Sequence, residues 1–345
     1  MKVLLIGPYP PPHGGISVHV ALAQEELRRE GIDCRVVRID RCAPESDHYL
    51  RVKGGPDLLR IVFNHARQGW IPHVHINGHT VKGWLIALAC GIAGHCATAR
   101  LLTIHSGMTP TFLAGGRQRK LLARLSCGRY ERVICVSHEI REALEASGVA
   151  SEMLYVLPAY LSDSRRPIQP PSILKKWLKS HTPLLSTALS FRPEYGFDVL
   201  VAAFLELRRN NPAIGLVVIG GGEDFNAAKQ QIAACGLEDS VLLLGEVPHA
   251  LCLSLIEISD GFVRATRADG DSNSVREALA LGIPVVASDV CHRPAGTVLF
   301  RSGDAADLAV AIENGLRRER RVATERPAER GRERLIEMYT HAVQG

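Results

Sequence analysis

Short runs of Val, Ile and Leu alternate along the chain with longer segments whose apolar residues recur every three or four positions. Such runs are typical of strands buried on both faces of a parallel sheet, and the longer segments are typical of amphipathic helices. The first half of the chain is predicted to contain strands at 2–7, 34–39, 73–76, 100–105, 132–137 and 154–157. Its predicted helices lie at 17–30, 57–66, 82–91, 116–126 and 138–146.

The alternation stops in a proline-rich polar stretch, 158–183, and then resumes. The second series predicts strands at 184–189, 215–219, 241–244, 261–263 and 284–288. Its predicted helices lie at 197–209, 224–235, 250–257, 274–281 and 305–317. Strands that alternate with helices form right-handed βαβ units around parallel sheets. The expected fold class is therefore α/β, with two Rossmann-like domains.

The break in the pattern sets the expected domain organisation. Residues 1–160 are predicted to form the N-terminal domain, 161–182 a linker and 183–330 the C-terminal domain. The last residues, 331–345, are predicted to form a helix that packs back on the N-terminal domain. Because ligands of open parallel sheets bind beyond the carboxyl ends of the strands, the loops that follow strands are the first places to search for function.

Composition narrows the class of protein. The chain has 345 residues, of which 46% are hydrophobic and 22% charged, as in globular proteins with a sizeable core. Its net charge of +5 is far below that of a dedicated nucleic-acid-binding protein. The nine cysteines include no Cys-x-x-Cys pair, which favours reduced thiols in the cytosol. We expect no signal peptide and no membrane span, and therefore a cytoplasmic protein with at most peripheral membrane contact.

A Pro-rich loop after the first strand ends in Gly14 and Gly15 at the start of a helix. Backbone N–H groups without side chains approach a phosphate closely, and the positive end of the helix dipole favours an anion. The alternative interpretation is a stiff connection between strand and helix. The loop does not match the Gly-x-Gly-x-x-Gly fingerprint, which argues against NAD as a ligand.

Two further candidates follow predicted strands. His105 lies at the carboxyl end of a strand, although a lone histidine is more often a structural residue. Arg192 leaves the first strand of the second domain, where a guanidinium either holds an anion or is a solvated loop residue. Both positions are at the edge where a parallel sheet binds its ligands.

The loop that follows the fourth strand of the second series is the most informative. Ser274 is predicted to cap a helix, and Glu277 to complete a capping box three residues later. That box does not explain Asp269, Asp271 and Asn273, which lie between an apolar strand and an Ala- and Leu-rich helix. Acids and amides at a helix N-terminus suit a ligand that is both phosphorylated and rich in hydroxyl groups. The two aspartates also have the form of a metal motif, but the helix already supplies positive potential and no metal is expected.

A basic stripe runs along the predicted helix at 117–124, where arginines and a lysine alternate with leucines. Such a stripe is more often a solvated face over core leucines. The sharper alternative is docking on an anionic lipid surface, which basic amphipathic helices favour.

Together these segments resemble the retaining glycosyltransferases of family 4, which have the GT-B fold, over nearly the whole chain. In the first half the shared motifs are the glycine pair, the strand-end His105 and Val-Ile-Cys-Val-Ser at 133–137. In the second half they are Tyr-Gly-Phe-Asp at 195–198, Gly-Gly-Gly at 220–222, Leu-Gly-Glu-Val at 244–247 and the run Glu-Ala-Leu-Ala-Leu-Gly-Ile-Pro-Val-Val-Ala-Ser from Glu277. The motifs are specific as a set.

The resemblance implies two Rossmann-like domains facing each other across a cleft. It implies transfer of a sugar from a UDP- or GDP-linked donor, with retention of anomeric configuration and without a metal. The implied mechanism is same-face attack, in which a donor phosphate oxygen takes the proton of the acceptor. Gly14 and Gly15 would then approach the donor diphosphate, and His105 would lie beside the transferred sugar.

The resemblance also implies roles in the second domain. Asp269 would hold hydroxyl groups of the donor sugar, and with His105 it forms the predicted catalytic pair. Glu277 would hold the nucleotide ribose, and backbone near Val247 would contact the base. The neighbouring Asn273 and Ser274 complete the predicted donor-binding set in this loop.

The chain departs from the family pattern at two places. The family's acidic pair is usually two glutamates, whereas here the shorter Asp269 takes the first position. The usual diphosphate-binding Arg and Lys align with Ser190 and Tyr195, so both cations are missing. Arg192 is the nearest substitute. Further candidates are Arg264, Arg267 and Arg293.

Glycosyl transfer is the preferred function. The resemblance indicates a bacterial enzyme of surface-polysaccharide synthesis that acts on a glycan or a lipid-linked sugar acceptor. One alternative is a nucleotide-sugar 2-epimerase, which resembles the same two-domain fold and interconverts donor sugars without an acceptor. Another is a non-catalytic sugar-nucleotide-binding subunit that assists a second transferase.

Overall fold

A computed structural model of the protein describes residues 1–12, 14–40, 45–158, 168–320 and 327–344. The chain divides into two compact units: the first comprises Met1–Ser162 and Pro327–Gly345, and the second comprises Asp163–Arg326. Each unit contains one parallel β-sheet with helices packed against it. The predicted α/β class with two Rossmann-like domains is therefore confirmed.

The first unit is built on a seven-stranded sheet. Its strands are β1 (Lys2–Gly7), β2 (Asp33–Arg38), β3 (Leu50–Arg51), β4 (Ile71–Ile76), β5 (Leu101–Ile104), β6 (Arg132–Cys135) and β7 (Leu154–Val156). They pair in parallel in the order β3-β2-β1-β4-β5-β6-β7. The helices between them are α1 (Gly15–Arg29), α2 (Gly55–Arg67), α3 (Val81–Ala93), α4 (Thr109–Ala114), α5 (Arg117–Cys127) and α6 (His138–Glu145).

The core of the first unit lies on both faces of this sheet. Leu4 and Ile6 of β1 belong to one apolar cluster, and Val3 and Leu5 belong to another. Successive side chains of a strand point to opposite faces, so the continuous apolar run of β1 requires helices on both sides. This explains why the strands are apolar throughout and do not alternate between apolar and polar residues.

The second unit is built on a six-stranded sheet. Its strands are β8 (Leu184–Ala188), β9 (Gly215–Ile219), β10 (Val241–Gly245), β11 (Gly261–Arg264), β12 (Val285–Ser288) and β13 (Val298–Phe300). They pair in parallel in the order β10-β9-β8-β11-β12-β13. The helices are α7 (Ser172–Lys179), α8 (Phe197–Asn210), α9 (Phe225–Ala234), α10 (His249–Glu257), α11 (Asn273–Ala280) and α12 (Ala305–Leu316).

The last helix, α13 (Pro327–Gln344), belongs to the first unit. Leu335, Tyr339 and Ala342 are buried against the apolar cluster that contains Val3 and Leu5 of β1. The chain therefore returns to the first unit after completing the second. Within the ranges that the structure describes, no helix is both long and apolar enough to cross a membrane.

The predicted linker needs correction. Its first part, 161–167, lies outside the described residues. Its second part contains α7, whose Leu178 is buried with Leu184 and Val217 in the second unit. The helix was missed because it is only eight residues long and lies between prolines. The second unit therefore includes residues that were assigned to a linker, and α13 begins at Pro327, four residues before the predicted start of the terminal segment.

Three further short elements, β3, α4 and β13, were also missed, because segments of two, six and three residues carry little periodicity. The predicted strands and helices otherwise agree with the structure to within a few residues at each end. The least accurate boundary among them is the start of α13, since residues 327–334 are mostly polar.

In each of the two sheets the order of the strands along the chain reverses at one place. In the first unit the strand order reverses between β1 and β4, and in the second it reverses between β8 and β11. Open parallel sheets bind ligands at such topological switch points, beyond the carboxyl ends of the strands. The two switch points therefore locate the candidate site residues of each unit.

Candidate functional site

The switch point of the first unit is closely packed. Gly7 ends β1, and a Cβ atom at this position would lie 3.2 Å from the Cβ of His75 and 3.3 Å from a methyl of Val20. The absence of a side chain thus allows β4 and α1 to approach the end of β1. As a result, histidines from α1, β4 and the end of β5 come together.

Three imidazoles form this histidine cluster: His19 of α1, His75 of β4 and His105, which directly follows β5. Nδ1 of His75 lies 3.1 Å from Nε2 of His105, so one ring donates a hydrogen bond to the other. The ring centroid of His19 lies 4.9 Å from that of His105 and 5.4 Å from that of His75. The predicted site residue His105 is therefore one member of a group.

A fourth histidine supports the cluster from behind. His73 precedes His75 by two residues in β4, and their ring centroids lie 4.2 Å apart. Nε2 of His73 lies 2.7 Å from the Thr103 hydroxyl of β5, and Nδ1 forms a hydrogen bond with the hydroxyl of Tyr339 of α13. Both ring nitrogens of His73 are thus occupied, so its role is structural.

Burial keeps His73, His75 and His105 neutral. Burial, followed by the neighbouring His19, lowers the pKa of His73 to about 3. Burial, followed by the neighbouring imidazoles, also lowers the pKa of His75 and of His105 well below the ordinary value. A neutral imidazole offers one donor and one acceptor to a sugar hydroxyl, and it is also the form that binds metals.

The cluster also has the composition of a metal site. One ligand nitrogen from each of His19, His75 and His105 lies within 4.8 Å of the others. Nε2 of His75 is buried and has no hydrogen-bond partner among the described residues. Three imidazoles are a donor set suited to Zn²⁺. The sequence-based expectation is nevertheless that no metal takes part.

The predicted glycine pair lies at the start of α1. Gly14 is the N-cap residue, but its N–H donates to the Ser17 hydroxyl at 2.9 Å, so it is not available to a phosphate. Gly15 is the first helical residue, is exposed, and has open space where a Cβ would lie. Of the two predicted residues, Gly15 is therefore the one that offers a backbone N–H to a ligand.

The switch point of the second unit holds buried charges. Arg264 ends β11, and its Nε and Nη2 donate to the two carboxylate oxygens of Asp269 at 2.9 and 3.2 Å. Arg293 donates to the same carboxylate from its Nη1 at 2.9 Å. We call Arg264, Asp269 and Arg293 the arginine–aspartate cluster. It joins a strand end, a loop and a residue that follows β12.

Backbone and hydroxyl groups fix this cluster in place. Arg264 donates to the Ala188 carbonyl at the end of β8, at 2.9 Å. Arg293 donates to the Ser288 carbonyl at 3.0 Å, and its Nη2 lies 3.2 Å from the hydroxyls of Ser288 and Thr266. The cluster therefore spans the carboxyl ends of three neighbouring strands, β8, β11 and β12.

Asp269 is ionised despite its burial. Burial alone would raise the pKa of its carboxyl, but the charges and hydrogen bonds of Arg264 and Arg293 lower the pKa to about 2. Both of its oxygens are engaged by arginines. Asp269 therefore holds the two guanidinium groups, and its contact with sugar hydroxyls stays a prediction.

The loop before α11 differs from the predicted capping box. Ser272 is the N-cap residue, and its hydroxyl accepts from the Val275 N–H. Ser274, the predicted cap, is the second helical residue and its hydroxyl lies 3.1 Å from that of Ser272. Asp271 accepts two bonds from Arg276, at 2.7 and 2.9 Å, so it is not presented to a metal. The predicted capping role of Ser274 was wrong.

Glu277 and Asn273 of α11 are also placed by the structure. Glu277 is buried, and its Oε1 lies 2.9 Å from Nε2 of His249, the first residue of α10. It does not reach back to the cap, so the capping box is wrong for this residue as well. Oδ1 of Asn273 is buried and has no hydrogen-bond partner among the described residues.

The remaining predicted residues lie at the same edge of the second sheet. Val247 is half-buried in the short loop between β10 and α10, which begins two residues later. Arg192 is exposed and is the N-cap residue of a short 3-10 turn at Pro193–Tyr195. Arg267 forms a bidentate pair with the exposed Asp198.

Sequence reasoning missed three residues of these sites: His19, His75 and His249. The alternation of His73 and His75 in β4 was a usable signal, because residues two apart share one face of a strand. No comparable signal marked His19 or His249, since each is a single histidine in an amphipathic helix.

Comparison with family models covers almost the whole chain. Residues 13–165 match the model described as Glycosyltransferase Family 4. Residues 172–333 match the model described as Glycosyl transferases group 1. The two matched ranges correspond closely to the two structural units.

Individual relatives of known name share only about a quarter of their residues with this chain over the matched ranges. The chain is 28% identical over 222 residues to a GDP-mannose-dependent alpha-(1-6)-phosphatidylinositol monomannoside mannosyltransferase of Mycobacterium tuberculosis, covering 59% of this chain and 57% of that protein. It is 26% identical over 231 residues to an exopolysaccharide phosphotransferase of Streptomyces coelicolor, covering 63% of this chain and 22% of that protein. The chain thus spans well under two thirds of the length of these relatives.

Among solved structures, the chain resembles Anabaena HepE in complex with UDP-glucose. The TM-score is 0.75 at 16% sequence identity, and the match covers 100% of this chain and 98% of HepE. At this identity the likeness concerns the fold alone.

The two parallel-sheet units and this likeness define a protein of the GT-B fold. With both family models matched, the chain belongs to the glycosyltransferases of family 4. The predicted resemblance to family 4 is therefore confirmed.

Proposed function

We propose that the protein is a retaining glycosyltransferase that moves a sugar from a UDP- or GDP-linked donor to a glycan or a lipid-linked sugar. The observation that carries the proposal is the set of groups at the carboxyl edge of the second sheet. Buried Arg264 ends β11 and buried Arg293 follows β12, while α11 carries the buried carboxylate of Glu277 and the unpartnered amide oxygen of Asn273. Cations suit a diphosphate, while a carboxylate and an amide suit the hydroxyls of a ribose.

In the proposed reaction the bond between C1 of the donor sugar and the phosphate oxygen breaks. The acceptor hydroxyl oxygen bonds to C1 on the same face, and its proton passes to an oxygen of the departing nucleoside diphosphate. No protein nucleophile is needed. The protein stabilises the negative charge that develops on the diphosphate and the positive charge that develops on the sugar.

The first unit contributes neutral hydrogen-bonding groups in this proposal. His105 lies beside the transferred sugar, and His75 sets which nitrogen of His105 carries the proton. The backbone N–H of Gly15 reaches the donor diphosphate. In the second unit, Glu277 holds the ribose, Asn273 adds an amide, and backbone near Val247 contacts the base.

No metal is expected in the reaction, because the diphosphate is balanced by arginine. The biological role we propose is synthesis of a bacterial surface polysaccharide at the cytoplasmic face of the membrane. The Mycobacterium tuberculosis relative is named for a phosphatidylinositol-linked acceptor. A lipid-linked acceptor would require the protein to reach a membrane surface.

The surface of α5 supports such contact. Leu122 packs against the core of the first unit, whereas Leu121 and Leu125 are exposed. They lie beside exposed Arg117 and Arg124 on the same helix. The neighbouring α3 adds exposed apolar side chains: Val81, Leu85 and Ile92. Apolar side chains rimmed by cations suit the interface of an anionic bilayer.

The membrane contact is tested by vesicle sedimentation. Reversing the charges of Arg119, Lys120 and Arg124 should reduce binding to vesicles that contain anionic lipid, because each basic group contributes about 1 kcal/mol near such a surface. The control reverses Lys175 and Lys176 of α7 in the second unit. Equal effects of both variants, or none, would return α5 to a solvated face.

The activity is tested by incubating the protein with UDP- and GDP-sugars, with and without glycan or polyprenyl-linked acceptors. Transfer is followed by mass spectrometry, and the anomeric configuration of the product by NMR. Interconversion of donor sugars without an acceptor would identify the 2-epimerase. Nucleotide binding without transfer or donor hydrolysis would identify a non-catalytic subunit.

A further inference from the structure

The arginine–aspartate cluster carries an excess of positive charge. Arg264 and Arg293 contribute two cations, and Asp269 contributes one anion. The other ionisable side chains that act on Arg264 are Tyr195 and Cys291, which are uncharged in their ordinary forms at neutral pH. An unbalanced charge in a buried position is costly, so the cluster is suited to bind one further negative group.

Arg264 is the member with donors to spare. A guanidinium has five N–H groups. Three of those of Arg264 donate to Asp269 and to the Ala188 carbonyl, which leaves one on each Nη without an acceptor among the described residues. Arg293 uses four of its five. The side chain of Arg264 is 11% exposed and that of Arg293 only 2%, so an incoming anion reaches Arg264.

The orientation of Arg264 is fixed before any ligand binds. Asp269 holds one edge of the guanidinium in a bidentate pair. The ring of Tyr195 lies against its face, with the guanidinium carbon 5.0 Å from the ring centroid. A guanidinium group that is held on one edge and one face presents its remaining N–H groups in a fixed direction. This favours binding of a planar or tetrahedral oxyanion.

The position of Arg264 is that of a ligand-binding residue. It ends β11, directly at the switch between β8 and β11. The start of α8 lies beside it, because Gly196 adopts a φ of +66° and a Cβ there would lie 2.0 Å from the Ala265 carbonyl oxygen. A helix N-terminus and a cation at a switch point together form an anion site.

The other arginines of this edge are less suited. Arg267 is committed to the exposed Asp198 and to the Pro193 carbonyl. Arg276 is committed to Asp271. Arg192 is exposed to solvent, where a single cation gains little from an anion.

We propose that Arg264 is the residue that binds the diphosphate of the nucleotide-linked donor, with Asp269 and Arg293 positioning its guanidinium. The inference rests on the proposed function, since it names the cation that the donor would meet. It also assigns the role that was expected of Arg192 to a residue at the end of a strand.

The test measures binding of inorganic pyrophosphate, UDP and GDP by calorimetry, with uridine and guanosine as phosphate-free probes. Arg264→Gln should weaken pyrophosphate and nucleoside diphosphate binding about 10- to 100-fold, the range of a charge-assisted hydrogen bond. Nucleoside binding should change less than twofold. The matched control is Arg267→Gln, three residues later in the same loop, which should leave all affinities within twofold.

Several outcomes would overturn the inference. One is an Arg264→Gln variant that binds pyrophosphate and UDP or GDP as wild type does. Another is an equal loss for nucleosides and nucleoside diphosphates. If Arg264→Gln does not fold, a crystal structure of the wild-type protein with UDP or GDP decides the matter. A β-phosphate oxygen within hydrogen-bond distance of the Arg264 Nη atoms supports the inference, and one more than 6 Å away overturns it.

Failure of the proposed function would look different. Wild-type protein would then transfer no sugar and bind UDP and GDP no better than uridine and guanosine. Pyrophosphate binding that depends on Arg264 would still establish the anion site. Conversely, an active wild-type enzyme whose diphosphate affinity ignores Arg264 would preserve the proposed function and remove this inference alone.

Discussion

The histidine cluster and the arginine–aspartate cluster occupy equivalent places in their two units, yet they use burial in opposite ways. Each lies at the switch point of a parallel sheet, where strand order reverses. In the first unit, burial removes charge, because imidazoles lose their protons when desolvated. In the second unit, pairing retains charge, because each guanidinium meets the carboxylate of Asp269.

The difference indicates what each half can bind. Neutral imidazoles exchange hydrogen bonds with hydroxyl groups and impose no net charge on a ligand. A buried cluster with excess positive charge demands an anion.

The largest expected effect comes from removing the shared anion. Asp269→Asn should lower the free energy of unfolding of the second unit by about 3–5 kcal/mol, because it leaves Arg264 and Arg293 buried without their carboxylate. The matched control is Asp198→Asn, which breaks the exposed pair with Arg267 and should cost about 0–1 kcal/mol. Urea denaturation followed by the fluorescence of Trp177 in α7 measures both. Equal losses in the free energy of unfolding would mean that Asp269 stabilises the protein no more than the surface residue Asp198 does.

A second test compares how the stability of each unit depends on pH. His73, His75 and His105 have lowered pKa values in the folded state, so below about pH 6.5 they are protonated only when the chain unfolds. The first unit should therefore lose stability as pH falls below about 6.5. One pH unit lower, each histidine should cost about 1.4 kcal/mol. The lowered pKa of Asp269 stabilises the second unit above about pH 4, and this contribution is lost as pH falls through 2.

In Trp177→Phe, the remaining tryptophans, Trp70 and Trp84, report on the first unit. Its unfolding midpoint in urea should fall between pH 6.5 and 4, whereas the contribution of Asp269 in the second unit stays constant. An equal loss of stability in the second unit between pH 6.5 and 4 would contradict the expected difference between the two units.

A smaller effect is expected behind the histidine cluster. Tyr339→Phe removes the hydroxyl that pairs with Nδ1 of His73 and should lower the free energy of unfolding by about 1–3 kcal/mol, since a buried polar nitrogen loses its partner. Thr340→Val removes an exposed hydroxyl from the next position of α13 and should change stability by less than about 0.5 kcal/mol. A Tyr339→Phe protein as stable as wild type would show that His73 finds another partner.

The smallest effect is expected from metal removal. EDTA should change the transfer rate less than twofold, because arginine rather than a divalent cation balances the diphosphate in the proposed reaction. The measurement is a transfer assay before and after chelation, with Mg²⁺ and Zn²⁺ added back separately. A loss restored by Zn²⁺ alone would assign His19, His75 and His105 as a metal site and would end the description of the first unit as a neutral hydrogen-bonding surface.

The sequence by itself determined the fold class and most elements. Apolar runs such as Val3–Ile6 predict strands buried on both faces, since only helices on both sides of a sheet exclude water from every position. It also predicted that Gly15, His105 and Asp269 lie in or beside loops that follow strands, and that Glu277 lies in a helix after such a loop. Periodicity is a local property, so it is legible without the partner elements.

The tertiary structure alone decided which side chains meet. Nothing local shows that Asp269 is shared by arginines five residues before and twenty-four residues after it, or that Glu277 pairs with His249 on another helix. The capping box was a local interpretation of Glu277, and it failed because burial against α10 offered a stronger partner. The packing of Tyr339 on His73, across 266 residues, is equally invisible in sequence. Charge state follows from such long-range contacts and from burial, because both the dielectric environment and the pairing of a group are set by its neighbours in space.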